Sequence, residues 1–157
     1  MWIDQRGSEI VAAPECLRLV ALAAKEGHIG RLALNGPQSP LVMPVNFTIH
    51  DHSVLIRIGP GLLSEVAPES LVSFEVDRVD PDVGEAWSVL IRGLACAFDA
   101  NNPGTTPAGP QPLVPTPGHI ELLIRPDVIT GRRFSLVARE KVDPGDHTAY
   151  AVISQGA

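Results

Sequence analysis

Three groups of residues in this chain have the types and spacing for chemistry: the triplet His50-Asp51-His52, the run Arg57-Ile58-Gly59-Pro60-Gly61, and the two cysteines Cys16 and Cys96. Residues two apart on a strand share a face, so His50 and His52 have the spacing of a metal-ligand pair. A metal site needs a third and usually a fourth ligand, and a His pair alone satisfies few coordination positions. The triplet also falls where two strand-like runs must reverse, and Asp is a favoured turn residue. It is therefore expected to be a turn, with no metal bound. The lone His28, His119 and His147 carry no stronger signal.

Catalysis by side chains alone finds little support. The chain has no Gly-x-Ser-x-Gly elbow, no His-Glu-x-x-His and no Cys-x-x-Cys. Cys16 sits beside the apolar stripe of a helix-like segment and Cys96 between Ala95 and Ala97. Both are expected to be buried, inert thiols, so no catalytic side chain is assigned. For phosphate binding there is no Walker loop and no Gly-x-Gly-x-x-Gly before a helix. In Arg57–Gly61, however, an arginine ends a strand and two glycines lead into a short helical stretch over 62–66. Glycines let a backbone approach a ligand, free N–H groups can face an anion, and Arg57 can add a two-pronged hydrogen bond. From these residues alone a surface arginine before an ordinary turn is the favoured reading.

In Trp87-Ser88-Val89-Leu90-Ile91-Arg92-Gly93 the residues Trp87, Val89, Ile91 and Gly93 alternate onto one face, with Ser88, Leu90 and Arg92 on the other. Arg92 amid apolar sequence calls for a partner, for which Glu75 or Asp77 on the preceding strand is expected. Trp87 suits a core or an interface. The pair Arg132-Arg133 reads as solvated surface or as an interface ion pair.

The elements that must position these residues are mostly strands. Pro14 suits a first helical turn, and a helix is expected to Glu26, with Leu17, Val20, Ala21 and Ala24 on its packed face and Gly27 as the stop. Ile29–Leu34 closes at Asn35-Gly36-Pro37. Leu41–His50 alternates, with Leu41, Met43, Val45, Phe47 and Ile49 on one side, and pairs through Asp51-His52 with Ser53–Ile58 as a hairpin. Leu71–Val79, Trp87–Phe98, Ile120–Ile124 and Ile129–Val137 follow. Many antiparallel strands with one clear helix predict a mainly β, closed or nearly closed barrel. Residues 101–118 are rich in proline and glycine and read as a loop insertion within a single domain over 1–157, whose core runs from about 14 to 138; the turn-rich tail over 139–157 is expected to end loosely.

Composition bounds the partners. The 157 residues carry a net charge of −6, with 45% hydrophobic residues, a size that suits one domain able to fold without metal or disulfide. The acidic balance argues against nucleic acid and anionic membranes. The N-terminus shows no apolar leader and no run approaches membrane-spanning length, so a soluble cytoplasmic protein is expected. Of the 12 basic residues only Lys25 and Lys141 are lysines.

Five stretches in order, Gly30-Arg31-Leu32-Ala33, Met43-Pro44-Val45-Asn46-Phe47, Ser73-Phe74-Glu75-Val76-Asp77, Trp87–Gly93 and Ile129-Thr130-Gly131-Arg132-Arg133, make this sequence resemble the pyridoxamine 5′-phosphate oxidase-like family, the flavin-binding split β-barrels, and in particular its short actinobacterial members. The resemblance implies a homodimeric six-stranded split β-barrel with one N-terminal helix and a short helical turn, and flavin mononucleotide (FMN) at the subunit interface. It implies that Pro44, Val45 and Asn46 lie along the flavin ring, that Arg57 and the following turn hold the phosphate, and that Trp87 and Ser88 arrive from the partner. Family members commonly place a Ser or Arg and then a Lys where this chain reads Gly61-Leu62-Leu63-Ser64, and no lysine occurs between Lys25 and Lys141. Two functions follow as expectations: a flavin-dependent oxidoreductase, with FMN or a deazaflavin and a small-molecule substrate, or a non-catalytic barrel that holds flavin weakly or not at all. Haem, bound by some relatives, is a third option without an evident axial histidine.

Overall fold

The computed structural model describes residues 8–98 and 119–136. The proline-rich stretch over 101–118 and the tail over 139–157 lie outside them. The elements, in chain order, are β1 (Glu9–Val11), α1 (Ala13–Lys25), β2 (Gly30–Asn35), β3 (Pro40–Val45), β4 (Phe47–His50), β5 (Ser53–Ile58), α2 (Leu62–Val66), β6 (Ser70–Asp80), β7 (Glu85–Ala97) and β8 (Ile120–Ser135).

The strands form one antiparallel sheet in the order β3-β2-β6-β7-β8-β5-β4, with β1 added alongside β8. The two strands that end this order, β3 and β4, are consecutive in the chain with only Asn46 between them. The sheet therefore curls back on itself as a split barrel, the mainly β architecture expected. The inner face is apolar by simple alternation: Leu32, Phe74, Val76, Val89, Ile91, Val54, Ile56, Leu122 and Ile124 are all fully buried. Phe47 closes the core against Phe74, edge to face, with ring centroids 4.9 Å apart.

Helix α1 covers this core with Cys16, Leu19, Val20 and Ala23, positions at helical spacing. The predicted face was rotated by about one residue: Ala21 is exposed, while Leu17 and Ala24 only flank the contact. The cause lies on β8, where Gly131 presents no side chain and the Cys16 thiol fills the space a Cβ would need. The helix ends as expected at Gly27, which has φ +78°, with His28 N–H donating to the Ala23 carbonyl and Gly27 N–H to that of Ala24.

Three strand boundaries differ from the sequence reading. The Leu41–His50 run divides at Asn46, and Met43 is exposed although Val45 on the same side is buried, because β3 is a terminal strand of the sheet order. The runs expected as Ile120–Ile124 and Ile129–Val137 are joined in one strand over Ile120–Ser135 that passes through Pro126, with Val137 outside the described residues. A register shift between Arg92 and Gly93 leaves Asp127 as an extra residue there, and a bulge is where a sheet tolerates proline. Strand β1, three residues long, pairs with Gly131–Arg133 and is new.

Candidate functional site

Arg57 sits on β5 directly across from Glu121 on β8. Its Nε and Nη2 both donate to Glu121 Oε1, at 3.1 and 2.5 Å. The two side chains are 16% and 9% exposed, so this is a largely buried ion pair. Extending the β4–β5 register by one position sets Asn46 opposite Arg57. The structure thus brings Pro44, Val45, Asn46 and Arg57 to one end of the barrel. Strand β3 arrives there with its apolar residues uncovered: Val42 is 61% and Met43 44% exposed, and Pro44 is exposed as well. Val45 points into the core, and Asn46 is half-buried.

The turn after β5 is closed on itself. Gly61 has φ +144°, a conformation that favours glycine. Its N–H donates to Ser64 Oγ at 2.9 Å, and Ser64 Oγ donates to the Gly61 carbonyl at 2.7 Å. The Gly61 N–H offered to an anion in the sequence reading is therefore already taken. Leu63 packs against the core.

Trp87 and Ser88 are elsewhere. In the β6–β7–β8 register Trp87 lies between Arg78 and Arg133, half-buried against the core, while Ser88 lies between Asp77 and Arg132 on the outer face. Arg57 pairs with position 121 of β8 and Trp87 with position 133, twelve residues along one strand. Trp87 and Arg57 are thus paired to different halves of β8, on either side of the bulge at Asp127.

The charged partners also differ from expectation. Glu75 and Asp77 are held by Arg31 of β2, at 2.8 and 2.5 Å, not by Arg92. Arg92 is exposed opposite Ser73 and Val128, where solvent satisfies its charge. Of the Arg132-Arg133 pair, Arg132 donates to Ser8 Oγ at 2.9 Å and Arg133 reaches Glu15 at 3.5 Å. His50-Asp51-His52 forms the predicted turn, with φ +45° at Asp51 and +61° at His52. Among the described residues no group of three or more His, Cys, Asp or Glu is placed to hold a metal. Among the clefts formed by the described residues, one of about 450 Å³ is lined in part by Arg92 and another of about 850 Å³ by His50, Cys96 and Arg125. Neither includes Pro44–Asn46, Arg57 or Trp87. No described helix is long and apolar enough to cross a membrane.

Residues 13–133 match the model of the family described as pyridoxamine 5′-phosphate oxidase. The chain belongs to this family. Among solved structures, the FAD binding protein from Mycobacterium smegmatis is similar over 80% of this chain and 99% of that one, with 29% identity and a TM-score of 0.66. A Corynebacterium glutamicum protein provisionally named a pyridoxamine 5′-phosphate oxidase is 26% identical over 83% of this chain and 95% of its own, with a TM-score of 0.64. A conserved protein of unknown function from Corynebacterium diphtheriae shares the fold at 24% identity, 83% and 98% coverage and a TM-score of 0.64. No curated protein matches.

The residues present fit one end of a flavin. An uncovered apolar strand, Val42–Pro44, running into the amide of Asn46 suits a flat ring with a polar edge. The phosphate end does not fit: the lysine is missing, Arg57 is neutralised by Glu121, and the Gly61 N–H is spent on Ser64.

Proposed function

We propose that this member of the pyridoxamine 5′-phosphate oxidase family binds a flavin along β3 as a homodimer and serves as a flavin-dependent oxidoreductase on a small molecule. The observation that carries the reading is the uncovered apolar run Val42–Pro44 beside Asn46 and Arg57. The likeness to the Mycobacterium smegmatis FAD binding protein supports it. The family resemblance brings Trp87 and Ser88 to the flavin from a second copy, and their pairing to the far half of β8 from Arg57 supports a homodimer. A bound flavin supplies hydride-transfer chemistry, and the chain supplies binding and orientation. Pro44 and Val45 set the strand against the ring, Asn46 offers an amide donor and acceptor to the ring's polar edge, and Trp87 of the second copy excludes water. FMN and a deazaflavin are the cofactors the family resemblance implies.

The Arg57–Glu121 pair favours a second reading, a barrel that keeps the fold and has lost the cofactor. An absorption spectrum of the purified protein, followed by titration with riboflavin, FMN, FAD and a deazaflavin read by fluorescence, separates the two. A yellow protein, or saturable quenching at micromolar ligand, supports flavin binding. A colourless protein that quenches none of the four supports the second reading.

A further inference from the structure

The charges around β3 are arranged against an anion. Two arginines flank the strand: Arg31, in register with Pro44, and Arg57, opposite Asn46 by extension of the hairpin register. Both are already engaged. Arg31 is shared by Glu75 and Asp77, and Arg57 is held at two of its nitrogens by Glu121. Two cations against three carboxylates leave this patch with a net charge of 2 − 3 = −1. Within the turn that follows, Pro60 has no N–H to donate and the Gly61 N–H is occupied by Ser64.

Resting on the flavin reading above, we infer that this site selects against a terminal phosphate monoester and takes a flavin whose side chain ends uncharged, riboflavin in preference to FMN. A phosphate at the end of β5 meets the Glu121 carboxylate along with the Arg57 guanidinium. Two of the guanidinium's five N–H donors are already given to Glu121, and a phosphate that takes the others is held beside that largely buried carboxylate, like charge against like. A hydroxyl-terminated ribityl chain makes no such demand. The acidic residue that sets this preference, Glu121, comes from β8 and is distinct from the ring-holding residues of β3.

The test is an equilibrium titration of the whole chain with riboflavin and with FMN, read by quenching of flavin fluorescence, for the wild type and for Glu121→Gln. The wild type is expected to bind riboflavin at least as tightly as FMN. Glu121→Gln frees Arg57 and is expected to move the ratio toward FMN by about tenfold or more, the effect of one charge-assisted hydrogen bond. If Glu121→Gln fails to fold, the wild-type ratio alone decides. A wild type that binds FMN more tightly than riboflavin, or a ratio that a folded Glu121→Gln leaves unmoved, overturns the inference while leaving flavin binding in place. Failure of the wild type to bind either flavin overturns both.

Discussion

Arg57 and Glu121 face each other across β5 and β8 as a largely buried ion pair, 64 residues apart in sequence. Removing one partner leaves an uncompensated buried charge, whereas replacing both with apolar residues removes the desolvation cost as well. Arg57→Met is expected to lower the unfolding free energy by about 3 kcal/mol, and Arg57→Met/Glu121→Leu to recover most of it. Chemical denaturation of the wild type, both single variants and the double variant gives the coupling directly. Additive losses in the double variant would show that the pair is not coupled.

Gly93 is fixed by close approach. A Cβ there would fall well inside van der Waals contact with the main chain of Arg125, beside the bulge at Asp127. The obstacle is backbone and cannot rotate away. Gly93→Ala is therefore expected to cost about 2–3 kcal/mol. A melting temperature unchanged from wild type would contradict that packing.

The two thiols should behave differently. Cys16 is fully buried and donates to the Val11 carbonyl at 3.5 Å, and burial above all, with help from the Glu15 carboxylate, pushes its thiol up. Cys96 is partly exposed. A thiol reagent is expected to label one cysteine of the native chain, Cys96, and to reach Cys16 only on unfolding. Two rapid equivalents would contradict the packing of α1 on Gly131.

The same burial gives a pH dependence. The folded chain keeps the Cys16 thiol protonated to higher pH than the unfolded chain, whose thiol titrates near its ordinary value of 9.0. Its contribution to stability is fully present below that pH and is lost as the pH rises through the folded value. Denaturation midpoints of wild type and Cys16→Ala are expected to converge as the pH rises above about 9. A constant gap across that range would contradict it.

What was legible in the sequence was local. Asp51-His52 marked the hairpin, Gly27 marked the end of α1, and five short stretches in order pointed to the family. What was hidden depends on which strands lie side by side. Arg31 is 44 residues from Glu75, and only the placement of β2 beside β6 gives it the acids that chain order suggested for Arg92. Glu121 left no signal as the partner of Arg57, because its position is set by the register of β5 on β8. The runs over 120–124 and 129–137 read as separate strands because the bulge that carries one strand through Pro126 forms only against Gly93. The exposure of Val42 and Met43 was equally hidden, since alternation says which side a residue faces but not that β3 ends the sheet order.

The central claim is that flavin and a second copy of the chain come together. Sedimentation of the protein mixed with riboflavin, recorded both in the protein band and in the visible flavin band, tests both parts at once. The account predicts one boundary at twice the mass of the chain carrying both signals. Protein sedimenting as a single chain, or flavin left behind as a free small molecule, would contradict it.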